Sequence, residues 1–178
     1  IAYIGRLSKV KGIEAYFELI KKIKSSSNSE KFVFHVVGNE YDYKKQVVEF
    51  ENKSWVINHG IIGNDELPGF LRNIDVCVAL TFASANGGGG GTSNAMLEQL
   101  AASRIMLAWD NVIFKQYLND ENAYLVEQYS IEGLEAALLE IYKNKDKAIL
   151  KSIEGAKTII PYSYEANVDS FKKLLKMN

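Results

Sequence analysis

Cys77 is the only cysteine among 178 residues and sits inside an apolar run. It reads as a buried thiol in a reducing compartment, not as part of a disulfide framework. Basic excess is missing too: 21 Lys and Arg stand against 22 Asp and Glu, for a net charge of −1. A nucleic-acid footprint normally needs such an excess, so no nucleic-acid partner is expected. No apolar run approaches the ~18 residues that a membrane-spanning helix requires. No signal-peptide pattern opens the chain. The two histidines, His35 and His59, stand far apart in sequence and in no ligand-spaced cluster. No Asp-x-Asp pair is present to hold Mg²⁺ against a diphosphate, so neither a metal nor a cofactor is expected. Signatures of a Ser or Cys nucleophile are missing. So is G-x-G-x-x-G after the first strand, because Gly5 is followed by Arg6 and Leu7.

What the chain does have is glycine in one place. Gly87 to Gly91 are five in a row, running into Thr92, Ser93 and Asn94. A helical pattern follows, with Ala95, Met96, Leu97, Leu100 and Ala101 around Glu98, and a buried strand over Val76 to Phe82 precedes it. A glycine-rich loop lets backbone N–H groups approach a ligand closely. The helix start adds unpaired donors and a partial positive charge. No acidic residue between Gly87 and Leu97 occupies that end, so the arrangement suits an anion, above all a phosphate. A flexible linker, or a turn capped by Thr92 or Ser93, is the plainer alternative.

The rest of the chain alternates strands with helices. Strands are expected at Ile1 to Ile4, Lys31 to Val37, Trp55 to Ile57, Val76 to Phe82, Ile105 to Ala108 and Ala123 to Val126. Between and after them come helices over Ile13 to Lys24, Tyr43 to Phe50, Asp65 to Arg72 and the segment after the glycine loop. A short one near Ile113 to Tyr117, one capped by Ser130 that runs to Lys143, and segments at Asp146 to Lys157 and Tyr164 to Leu175 complete the set. Ile13, Tyr16, Phe17, Ile20 and Ile23 fall on one helical face, which makes that helix a core helix, not a membrane-surface one. Short, non-alternating apolar strands between helices belong to a parallel sheet covered on both faces. The expected fold is therefore α/β: a single doubly wound, Rossmann-like domain over 1–178 with about six parallel strands, without repeats or linkers. The loops Gly5 to Lys11, Gly38 to Glu40, Gly60 to Ile62 and Gly87 to Asn94 all follow strand ends and should converge on one crevice. The chain begins at Ile1, inside a strand, so it is expected to be part of a longer protein.

Two cations and one carboxylate stand out near that crevice. Arg6 and Lys11 flank the turn after the first strand and can point at one anion, Arg as a two-pronged donor and Lys as a point charge. Glu98, one to two turns into its helix, can face the crevice and accept from hydroxyls such as a ribose diol. The alternatives are two solvated surface cations and an exposed helix glutamate.

Taken together these motifs resemble a known family. IGRLSKVKG looks like the G-R-x-x-x-x-K-G entry of the carboxyl-terminal domain of retaining GT-B glycosyltransferases of family 4. FHVVGNE, NHGII, NIDVCVAL and TSNAMLEQLA follow in that family's order, and SNAMLE is similar to the second half of its E-x7-E signature. Tyr162-Ser163-Tyr164-Glu165 resembles the element that opens the family's last helix. The resemblance implies a donor domain that binds a nucleoside-diphosphate sugar (UDP-, GDP- or ADP-linked) without metal, for transfer to a glycan or lipid-linked acceptor. Arg6 and Lys11 would bind the diphosphate and stabilise the leaving group, and Glu98 would hold the ribose. Gly5 and the backbone near Ile61 and Ile62, with Asn39 and Glu40, would line the nucleotide site. Gly90, Gly91, Thr92, Ser93 and Asn94 would meet the distal phosphate and the sugar.

One departure stands out: Gly90 occupies the position of the family's first glutamate, eight residues before Glu98. The family's acceptor-binding amino-terminal domain is expected to lie outside this chain, so binding with little or no turnover is expected of it alone. The resemblance also implies a cytoplasmic enzyme of polysaccharide synthesis, with peripheral membrane association of the full-length protein as a further expectation. A GT-B epimerase or phosphorylase, or a non-catalytic nucleotide-binding domain, remains open as an alternative reading.

Overall fold

The computed structural model describes residues 1–39, 43–50, 53–83 and 94–175. Six parallel strands form one sheet: β1 (Ala2–Ile4), β2 (Phe34–Val37), β3 (Val56–Gly60), β4 (Val76–Ala79), β5 (Ile105–Asp110) and β6 (Tyr124–Glu127). Their spatial order is β3-β2-β1-β4-β5-β6, and every neighbouring pair is parallel. Parallel neighbours need crossovers, and α1 (Ile13–Lys24), α2 (Lys44–Phe50), α3 (Leu67–Leu71) and α4 (Asn94–Ala101) lie in the first four of them; α5 (Ile131–Lys143), α6 (Lys145–Thr158) and α7 (Tyr164–Leu174) follow the last strand. Helices cover both faces, with α1 packed against α5 and α4 against α6. The strand order reverses between β1 and β4. In doubly wound sheets that switch point is where ligands bind, outside the carboxyl ends of the strands.

The central strands are buried through and through. Val76, Cys77, Val78 and Ala79 of β4 and Ile105 to Trp109 of β5 all lie in the core. Burial pushes the Cys77 thiol up to about 12, which keeps it an inert packing group. β3 is an edge strand and differs, with Ile57 exposed. The α1 face expected from spacing is the core face, since Ile13, Tyr16, Phe17, Ile20 and Ile23 are all buried. Ser130 and Ser163 cap α5 and α7, accepting from Gly133 N–H and Ala166 N–H at 3.0 and 3.2 Å.

Some boundaries differ from those expected. The segment expected as a helix near Ile113 is a run of turns, in which Asn111 accepts from Phe114 and Lys115 through its backbone and caps Ile113 through its side chain. An Asx side chain that bonds its own backbone offers an alternative to the helix. The helix expected from Asp65 begins at Leu67, after a Gly63 turn that accepts from Glu66 and Leu67. The strand expected from Lys31 begins at Phe34, because Ser29–Lys31 forms a 3₁₀ turn. The strand expected to reach Phe82 stops at Ala79, although Phe82 stays tied to the turn after β1 by a bond to Val10.

Candidate active site at the switch point

Backbone hydrogen bonds bring three strand ends together. Gly5 N–H donates to Val37 O at 3.0 Å and Gly38 N–H to Gly60 O at 2.7 Å, extending the ladders of β1, β2 and β3 into their loops. Gly38 has no room for a side chain, since a Cβ there would lie 1.9 Å from the Gly5 carbonyl oxygen. After β1 the chain makes a 3₁₀ turn over Lys9–Lys11 and ends it at Gly12, whose φ is 80°. A Cβ at Gly12 would meet Leu80 O at 2.2 Å, so the turn can rest against the end of β4 only with glycine there. Phe82 N–H donates to Val10 O at 2.9 Å, joining the β1 loop to the β4 loop. Tyr3 Oη donates to Arg6 O at 2.7 Å and fixes the start of the turn.

Two adjoining cavities result. The larger, of about 550 Å³, is walled by Gly5, Arg6, Leu7, Gly38, Asn39, Ile61, Ile62, Asn64, Ala95 and Glu98. The smaller, of about 40 Å³, lies on the β4 side and is lined by Gly5, Arg6, Lys11, Thr81, Met96 and Gln99. Gly5 and Arg6 border both. Among the described residues no hydrogen bond or ion pair reaches the guanidinium of Arg6 or the carboxylate of Glu98, and both side chains are exposed. Lys11 is half-buried, and its ammonium is pushed below its ordinary value by burial first and by the Arg6 charge second. Two cations on one turn with a repelling interaction between them gain when an anion arrives.

The structure thus brings together Gly5, Arg6, Asn39, Ile61, Ile62 and Glu98 around one cavity, with Lys11 in the chamber beside it. Asn94 is the first residue of α4 and is exposed. Glu40, Gly90, Gly91, Thr92 and Ser93 lie outside the described residues. Sequence reasoning missed Asn64, Leu67 and Ala95 as walls of the larger cavity. It also missed Gln99, which lines the small chamber, is 1% exposed and whose Oε1 has no partner among the described residues. A polar residue on the apolar side of a short helix was the available signal. A buried acceptor of this kind calls for a water or a ligand donor, and the chamber is large enough for water.

His35 and His59, far apart in sequence, are side by side in the fold. His35 Nδ1 and His59 Nε2 are 2.9 Å apart, the rings stack at 5.2 Å, and Phe70 packs edge-on against both. Burial, then the Ile1 ammonium and His59, lower the His35 imidazole to about 4. Among the described residues no group of three metal-ligating side chains occurs. Among the described residues no helix is long and apolar enough to cross a membrane.

The glycosyl transferases group 1 model matches residues 1–144. The chain belongs to that family. No curated protein sequence matches it. Several solved structures are similar. One is S. aureus TarM, solved with UDP, fondaparinux and α-GlcNAc-glycerol: TM-score 0.78, 20% identity, covering 97% of this chain and 34% of TarM. Another is the sucrose-phosphate synthase of Thermosynechococcus elongatus, at TM-score 0.80 and 18% identity, over 98% of this chain and 44% of that one. A third is the carboxyl-terminal domain of a Francisella tularensis group 1 glycosyl transferase, LpcC, at TM-score 0.70 and 22% identity, over 89% and 82%. At these identities the likeness shows the fold, a Rossmann-like half of a GT-B glycosyltransferase. The chain spans about a third of the length of TarM.

Proposed function

We propose that this chain is the donor-nucleotide half of a retaining, family 4 glycosyltransferase, the carboxyl-terminal one of two domains. It binds a nucleoside-diphosphate sugar, and a partner domain of the same protein brings the acceptor. The observation that carries the reading is a pair of charges on one crevice that have no partner among the described residues, the Arg6 guanidinium and the Glu98 carboxylate, at the switch point of the sheet. In a nucleotide-sugar those charges meet complementary groups: Arg6 and Lys11 take the diphosphate, and Glu98 accepts from the ribose hydroxyls. Asn39 and the backbone at Ile61 and Ile62 read the base at the β3 end. The UDP in the TarM structure supports a uridine nucleotide as the first ligand to try.

Chemically, the turn after β1 acts on the leaving group. Negative charge grows on the diphosphate as the glycosidic bond breaks, and two fixed cations stabilise it most at that moment. Arg6 and Lys11 thereby take the part that a metal plays where an Asp-x-Asp pair holds one. Alone, the chain binds the donor and does not turn it over, because the acceptor site is elsewhere.

Calorimetric titration with UDP, GDP and ADP, with and without EDTA, tests this. Saturable binding unaffected by chelation is expected. Binding that disappears with EDTA, or no binding of any of the three, would remove the reading.

A further inference from the structure

On the other side of the switch point three aromatic rings climb from the core to the surface. Trp109 of β5 is fully buried, Phe82 is half-buried and Tyr129, just after β6, is 66% exposed. Phe82 and Trp109 lie 6.2 Å apart with planes 21° from parallel, and Phe82 and Tyr129 lie 4.7 Å apart at 18°. A polar clamp holds the rings in place. Gln128 binds both backbone polar groups of Ala83, accepting from its N–H at 2.9 Å and donating to its carbonyl at 3.1 Å. Asn111, itself buried, donates to Gln128 Oε1 at 2.8 Å and to Thr81 O at 2.9 Å. The ends of β4, β5 and β6 are thereby locked into one edge, and the Phe82–Val10 bond joins that edge to the cation turn.

Single exposed aromatics are common and need no explanation. Tyr129 differs in its backbone, with φ at 74°. Only two described non-glycine residues have positive φ, and a bulky side chain is a genuine outlier there. Glycine would adopt that angle without strain. The tyrosine gains little burial in exchange, since most of its surface faces water. The turn closed by Ser130 N–H on Glu127 O and the stack on Phe82 hold the ring there with its outer face open to water, and strained residues held by their surroundings cluster at ligand sites.

We infer that Tyr129, backed by Phe82, is a stacking platform for a pyranose ring on the sugar side of the crevice. This rests on the nucleotide reading above, and the strand order gives it direction. On that reading the base would lie over β3 and β2, with the cations over β1 and the aromatic face over β4 to β6. A ligand laid along that edge base-first carries its sugar toward Tyr129. A pyranose has an apolar C–H face for the ring and hydroxyls at its rim for water and the phenol. Tyrosine offers such a face rigidly, at low cost in side-chain entropy.

The ring could belong to the donor or to an acceptor glycan, and two arms separate these. In the first, calorimetry compares UDP with UDP-glucose, UDP-galactose and UDP-N-acetylglucosamine for the parent, Tyr129→Phe, Tyr129→Ala and Tyr129→Gly. In the second, saturation-transfer NMR follows methyl α-glucoside and maltose on the same proteins, with and without UDP. Melting temperatures confirm folding, and the glycine variant guards against an alanine protein that fails to fold. Phe should behave as the parent, and Ala and Gly should leave UDP affinity unchanged. A donor role removes the gain of the best UDP-sugar over UDP in Ala and Gly, a loss of about threefold to tenfold. An acceptor role keeps that gain and removes the glycoside signal instead. Identical behaviour of all four proteins toward every sugar would overturn the platform. UDP failing to bind the parent would overturn the nucleotide reading alone, since the glycoside arm without UDP still decides Tyr129.

Discussion

Arg6 and Arg104 stand at opposite edges of the same sheet and have opposite fates. Arg104, at the amino-terminal edge just before β5, donates to Ala102 O, Leu71 O and Ile74 O at 2.7, 3.3 and 2.8 Å. It closes off carbonyls left over at the ends of α3 and α4, and its charge is spent on the protein itself. Arg6, at the carboxyl-terminal edge just after β1, has no such partner among the described residues. One arginine is a structural plug and the other an open site. The difference comes from topology: at the carboxyl ends of parallel strands the loops diverge and leave a crevice, and at the switch point they diverge most.

Gly38→Ala offers the severest way to break this comparison, because it attacks the packing that holds the open edge together. Its Cβ would sit 1.9 Å from Gly5 O. A loss of roughly 3 kcal/mol or more in urea unfolding is expected from the clash and the positive φ together. A loss below about 1 kcal/mol would mean that the β1 and β2 loops separate freely.

The two arginines come next. Arg104→Ala should cost about 2–3 kcal/mol of stability, the scale for charge-assisted bonds to carbonyls, with UDP affinity unchanged. Arg6→Ala should do the reverse, weakening UDP by roughly tenfold to a hundredfold with little change in melting temperature. If both variants lost stability and kept affinity, the open edge would be as structural as the closed one.

Glu98→Gln sharpens the comparison within the crevice. It should cost UDP about 1 kcal/mol, a single hydrogen-bonding difference, and its 2′,3′-dideoxy analogue much less. Equal losses would make Glu98 an ordinary surface residue of α4.

The smallest effect belongs to the face between the edges. The folded His35 titrates near 4 against an ordinary 6.5, so between those values the unfolded chain binds more protons. Stability should be full above the ordinary value and fall as pH drops through that window, by about 1 kcal/mol once solvent screening is allowed for. A His35→Gln protein should lose that acid slope, and an unchanged slope in thermal melts from pH 7 to 4 would assign it elsewhere.

Much of this was legible in the sequence because it is local. Strand, turn and helix follow from periodicity and capping over a few residues, so six short β-runs alternating with helical segments already specify a parallel sheet. Gly5, Arg6, Lys11, Ile61 and Glu98 could be named because each lies within a few residues of a strand end or helix start. What the sequence could not decide was which side chains are satisfied, since that depends on neighbours dozens of positions away. Arg6 and Arg104 look alike until Leu71 and Ile74 are seen to supply carbonyls to only one of them. His35 and His59 look isolated until two parallel strands put them on one face, two residues out of register. Phe82, Trp109 and Tyr129 become a stack only because β4, β5 and β6 end side by side. Local preference sets the elements, but hydrogen-bond satisfaction and ring contact are properties of the assembled edge, and there the tertiary structure alone had the say.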